Sequence, residues 1–209
     1  MILLRGEKKM KLVKTLGILL CFALLASTAA ATPSKNSEMP TNYQFNKWIS
    51  GFSEEYLINE NGVYLCDAAG DKLKIRNNRY AHNPTYEELM DFLAKNDIDK
   101  RDYEYPTYTC GNFAVDLHDA AEKKYIRAGI VCALNDDGDF DHAINVFQTT
   151  DKGTVFIDCT SGYDGENDMG DCIAHIGNAM EGYTITSIDN PEESITYEFY
   201  GTVYYEYFW

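Results

Sequence analysis

The stretch Tyr108-Thr109-Cys110-Gly111-Asn112-Phe113-Ala114 puts a thiol where a loop turns into an apolar-periodic run. The same chain later supplies Asp141-His142-Ala143 and Phe156-Ile157-Asp158-Cys159, each on its own strand-like segment. A thiol is nucleophilic only as thiolate, and the free N–H groups and positive dipole end of a helix N-terminus favour that form. The same N–H groups could hold an oxyanion after attack. A thiol nucleophile also needs a base that withdraws its proton and later donates one to the leaving amine. His142 suits that part, with Asp158 to orient its ring. The bland alternatives are a buried structural thiol for Cys110 and a solvated strand-end carboxylate for Asp158.

Three other histidines compete with His142. His82 precedes a capping sequence, His118 lies two helical turns after Cys110, and His175 falls in a Gly- and Asp-rich stretch. His118 is the strongest rival by spacing and reads as a packing histidine. His142 and Asp158 are an even 16 positions apart. A hairpin loop over Thr149–Asp151 sets them directly opposite, within reach of a carboxylate–imidazole contact. A loop over Asp151–Gly153, with Gly153 left-handed, instead turns Asp158 toward Val146.

The elements that must position these groups are legible from patterning. Gly62–Cys66 and Lys72–Arg76, separated by Asp67–Asp71, read as a hairpin. Thr85-Tyr86-Glu87-Glu88 is a capping box that opens a helix with Leu89, Phe92 and Leu93 on its apolar face. From Gly111 to about Lys124, Phe113, Ala114, Leu117, Ala120 and Ala121 recur at helical spacing. Asp116, Asp119, Glu122 and Lys123 fall on the outer side. Strands follow at Gly129–Leu134, His142–Thr149 and Thr154–Cys159. Residues 160–182 read as irregular, and Ile185–Trp209 as two final strands, the last crowded with tyrosine. That crowding fits a strand packed on both faces better than an aromatic substrate wall. Helices first and an antiparallel meander after define an α+β chain.

Residues 1–31 have the form of a signal peptide. Arg5, Lys8, Lys9, Lys11 and Lys14 precede the apolar run Leu16–Ala26 and the small residues Ala29-Ala30-Ala31. The run is short for a bilayer span, though an uncleaved anchor is the alternative. The whole chain carries a formal charge of −15. The leading segment holds five of the 18 basic residues and one of the 33 acidic ones, which leaves −19 on the rest. Such a surface repels nucleic acid and anionic lipid. Five cysteines follow the signal: Cys66, Cys110, Cys132, Cys159 and Cys172. In an oxidising compartment two disulfides and a free Cys110 fit that odd count, with the pairing open. No CxxC spacing calls for zinc. Asp136-Asp137-Gly138-Asp139-Phe140-Asp141 lacks the glycine placement and bidentate Glu of an EF-hand, and reads as a solvated turn.

From about Pro84 to Gly162 the chain resembles the transglutaminase-like superfamily of papain-like cysteine enzymes. The resemblance rests on Tyr108-Thr109-Cys110, Phe113-Ala114-Val115-Asp116-Leu117-His118 and Arg127-Ala128-Gly129-Ile130-Val131-Cys132. His142-Ala143-Ile144-Asn145 and Phe156-Ile157-Asp158-Cys159-Thr160 complete it. It implies a Cys-bearing helix packed on an antiparallel sheet, with Cys110, His142 and Asp158 as catalytic residues and no cofactor or metal. Gly111 replaces the Trp that often follows the nucleophile in the animal enzymes, which tells against protein cross-linking. Relatives often end the Cys helix with Gly, where this chain has Tyr125-Ile126. The expected organisation is a signal peptide at 1–31, a disordered leader and hairpin-bearing extension at 32–83, and a transglutaminase-like domain at 84–209. The expected activity is hydrolysis of a peptide or carboxamide bond by an exported thiol enzyme acting on a peptide or protein substrate. The competing reading is an inactive binding or structural module on the same scaffold.

Overall fold

A computed structural model describes residues 51–59, 61–135, 141–160, 169–176, 183–197 and 203–209. The signal segment 1–31, the leader 32–42 and the acidic turn 136–140 lie outside the described residues. The chain is α+β. Strands β1 (Phe52–Tyr56) and β2 (Lys74–Asn78) form a small antiparallel sheet, followed by helices α1 (Tyr86–Leu93) and α2 (Cys110–Lys123). Seven strands then build one antiparallel sheet: β3 (Gly129–Asn135), β4 (Asp141–Thr149), β5 (Gly153–Asp158), β6 (Cys172–Ile176), β7 (Tyr183–Ser187), β8 (Ser194–Tyr197) and β9 (Val203–Phe208). Their spatial order is β8-β7-β6-β5-β4-β3-β9, so the chain's last strand returns to pair with β3. No helix among the described residues is long and apolar enough to cross a membrane.

Helix α1 begins as its capping box requires, with Thr85 Oγ1 accepting the Glu88 N–H at 3.1 Å. A second cap comes from far along the chain. Asp151, in the β4–β5 turn, accepts the Tyr86 N–H at 2.8 Å, and the Thr150 N–H donates to Pro84 O at 2.8 Å. The turn that sets the β4–β5 register is thereby fastened to the start of α1.

Helix α2 buries Phe113, Ala114, Leu117 and Ala121. Phe113, Leu117 and Ala121 join Leu89, Phe92, Phe147 and Ile157 in one core cluster. Each large side chain buried there contributes about 1.5–3 kcal/mol. Ala114 joins a second cluster with Leu57, Leu73, Ile75, Ile130 and Ala143, which brings the N-terminal extension into the same packed body. That packing changes the expected outer face of α2. Glu122 is buried, accepting the Asn78 N–H at 2.7 Å and the Ala128 N–H at 3.0 Å. Asp119 accepts the Arg76 N–H at 2.8 Å. Two positions read as solvated instead bond the backbone of β2 and of the chain entering β3. Helical periodicity marks one buried stripe and gives no sign that a second element covers the other side.

Helix α2 closes on a non-glycine residue. Tyr125 takes φ +66°. The Tyr125 N–H donates to Glu122 O and the Ile126 N–H to Ala121 O, the paired bonds of a Schellman end. Tyr125 therefore does the work that glycine does at comparable helix ends.

Four further expectations are corrected. The proposed hairpin is only partly formed: Cys66 and Lys72 bridge across the Asp67–Asp71 turn, but Lys74–Asn78 pairs with Phe52–Tyr56. Residues 160–182 are not wholly irregular, since β6 pairs with both β5 and β7. Residues from 183 onward hold three strands rather than two. No disulfide joins Cys66, Cys110, Cys159 and Cys172 to one another, so the two bridges that the odd count allowed are not formed among the described residues.

Candidate active site

Strand β4 carries the site because its two faces serve different partners. Ala143 and Phe147 pack with α2, whereas Ile144 packs with Tyr183 and Ile185 of β7. Asn145 pins the helix to the sheet, its amide donating to Ala114 O at 2.8 Å. By strand alternation His142 shares the Ile144 face, and it stands at the end of β4 that α2 reaches with its first residue.

The β4–β5 register lies between the two anticipated. Thr149 pairs with Gly153 and Asn145 with Ile157, so Thr150–Lys152 is a three-residue loop. Gly153 is left-handed at φ +76°. Continuing the ladder places Asp158 across from Ile144, diagonal to His142. A diagonal pair on one face remains within reach of long side chains. His142 Nε2 lies 2.8 Å from Asp158 Oδ2, and no bulge is needed.

The structure brings Cys110, His142 and Asp158 together. The Cys110 thiol interacts with the His142 side chain and with the Ala143 backbone, and both interactions favour the thiolate. With Nε2 turned to Asp158, Nδ1 is the ring nitrogen left to face the thiol. Thr109 enters α2 in an extended conformation, and its N–H donates to Asn112 Oδ1 at 2.9 Å. The Asn112 amide reaches Asp67 Oδ2 at 3.2 Å, tying the Cys110 turn to the N-terminal extension. Gly111 follows the thiol in the first turn of α2. It is buried, and a Cβ there would sit 2.8 Å from Leu73 Cδ1. A side chain at 111 would therefore make the Leu73 side chain shift, because the extension packs against that first turn.

The electrostatics favour separated charge. Burial pushes the Cys110 thiol up, but the hydrogen bond and charge of His142, with the Ala143 N–H, bring it below the ordinary thiol value. Burial likewise disfavours a charged His142. The Asp158 charge and hydrogen bond and the Cys110 contacts outweigh that and raise the imidazole to about 10. Asp158 is opposed by burial and stabilised by His142 and Thr160, which bring it down to about 2. Two other buried thiols move the opposite way: burial and nearby carboxylates push Cys172 up to about 12 and Cys159 up as well.

The remaining histidines stay apart from this set. His82 pairs with Glu88 at 3.1 Å, and His118 is fully buried with Nδ1 3.1 Å from Asp119. His175 lies on β6 opposite Thr184. One partner escaped sequence reading: Tyr183, buried on β7, donates its hydroxyl to Asp158 Oδ2 at 2.8 Å. No local pattern announces it, because β5 and β7 meet only through β6.

Compared with models of known protein families and with curated proteins, this chain matches none.

Proposed function

We propose that the protein is a thiol hydrolase that cleaves a peptide or carboxamide bond through a thioester on Cys110. The observation that carries this reading is the His142 ring, held at 2.8 Å by Asp158 and interacting with the Cys110 thiol. In the reading, the Cys110 thiolate attacks the carbonyl carbon, and the oxyanion forms near the N-terminal N–H groups of α2. As the C–N bond breaks, imidazolium His142 gives its proton to the leaving nitrogen, and the thioester remains. Water then attacks the thioester while His142 takes its proton. The C–S bond breaks, the carboxylic acid leaves, and the thiolate–imidazolium pair is restored.

The Cys-bearing helix against an antiparallel sheet, with His and Asp on adjacent strands, supports a papain-like, transglutaminase-like architecture. The sequence of residues 1–31 supports export, and the acidic composition supports a peptide substrate over nucleic acid. Digestion of a mixed peptide library, with cleavage products identified by mass spectrometry, tests the activity. Wild type is expected to yield new termini or deamidated side chains that Cys110→Ala does not. Identical product lists from the two proteins would leave the inactive module as the reading.

A further inference from the structure

Both oxygens of Asp158 are held by groups outside the Cys-His-Asp set. Oδ2 faces His142 Nε2 and accepts the Tyr183 hydroxyl, each at 2.8 Å. Oδ1 accepts the Thr160 N–H at 2.9 Å and the Thr160 hydroxyl at 2.5 Å. The Tyr183 ring stands edge-on to the His142 ring, with centroids 5.6 Å apart and planes at 77°. We propose that Tyr183 and Thr160 are positioning residues: a clamp that keeps the Asp158 carboxylate aimed at His142, with the Tyr183 ring shielding that hydrogen bond from water. This inference rests on the thiol-hydrolase reading above and deepens it.

A buried carboxylate without donors gives up its charge or swings toward whatever donors it can find. Either outcome weakens the imidazolium, and with it the thiolate. The other ionisable groups around Asp158 offer no substitute. They are Cys110 on α2, Cys159 next in the chain, Cys172 opposite it on β6, and Asp171 just before that strand. Burial keeps Cys159 and Cys172 protonated, and Asp171 adds only repulsion. Tyr183 is itself pushed well above its ordinary value by burial and by Asp158, so its hydroxyl remains a donor. The Tyr183 ring adds what a hydroxyl alone could not, an apolar surface beside the His142 ring.

The test is the rate of iodoacetamide alkylation at Cys110 against pH, read by mass spectrometry on the full chain. It compares wild type with Tyr183→Phe, Thr160→Val and a packing control, Ile185→Val, in the same buried cluster. Both clamp variants are expected to shift the acid limb upward by about half a unit to one unit, as loss of a hydrogen bond to a charged group implies. The control is expected to melt earlier yet keep the wild-type limb. Clamp variants that melt earlier but superimpose on the wild-type profile would overturn the proposal and leave a packing role. If one clamp variant does not fold, the other decides by the same criterion. A wild-type limb at the ordinary thiol value is a distinct outcome, which removes the thiol-hydrolase reading and this inference together.

Discussion

At the residue scale the candidate site turns on where one proton sits. A Cys⁻/His⁺ pair and a neutral pair hold the same number of protons, so the pH dependence of folding stability does not report which form the pair takes. Asp158 is different. Its folded pKa of about 2 lies below the ordinary 3.8, so its contribution is present above 3.8 and lost as pH falls through about 2. In urea unfolding between pH 5 and 2, the stability advantage of wild type over Asp158→Asn is expected to shrink steadily as pH falls. A constant gap would contradict the depressed carboxylate. The same substitution is expected to slow Cys110 alkylation at pH 6 by about tenfold or more, the scale of a general-base contribution. Cys110, His142 and Asp158 were legible because residue type and chain order suffice to propose them. Tyr183 was not, because its only claim to the site is a contact across two strand pairings.

At the element scale, the ends of α2 matter more than its middle. Tyr125 holds a positive φ at the helix end while more than half exposed, at 56%. A side chain there meets the steric cost that glycine avoids. Tyr125→Gly is expected to raise stability by about 0.5–1 kcal/mol, read from the urea midpoint at unchanged slope. Glu122 lies one turn back and accepts two backbone N–H groups, from Asn78 and Ala128. Removing it strands both donors in a buried site. Glu122→Ala is therefore expected to destabilise the protein by about 2–4 kcal/mol, with Glu122→Gln recovering part of the loss. Helix α1, helix α2 and strands β3 to β5 were readable from caps and periodicity. Strand β6 was not, because its five residues follow a Gly- and Asp-rich stretch and its pairing partners lie on either side in space. The hairpin register was misplaced by one position of the loop. The turn is fixed by Asp151 and Thr150 bonding the start of α1, which no local turn rule contains.

At the scale of the whole molecule, acidic composition becomes a local conflict. Burial raises the Asp171 carboxyl to about 7, and Asp99 and Asp189 add to the shift. A carboxyl raised above its ordinary 3.8 contributes fully below that value, and the contribution is lost as pH rises through about 7. The urea midpoint of wild type is expected to fall between pH 4 and 8. Asp171→Asn should flatten that slope, and parallel slopes would contradict the conflict. The described part of the N-terminal extension, from residue 51, belongs to the same folded body, since Leu57, Leu73 and Ile75 share a cluster with Ala114 and Ile130. A boundary at residue 84 suggested itself because motif resemblance begins there, whereas hydrophobic contacts ignore it. The return of β9 onto β3 was equally hidden. It is permitted at Gly129, where a Cβ would lie 2.8 Å from Phe208 O.

Cys110 is expected to be a thiolate at a pH where ordinary thiols are not. Site-resolved iodoacetamide labelling at pH 6 measures this against an internal reference, the exposed Cys66. Cys110, although less exposed, is expected to label at least about tenfold faster than Cys66 and to lose that lead in His142→Ala. A Cys66 that labels first, with Cys110 trailing and indifferent to His142, would contradict a thiolate at Cys110.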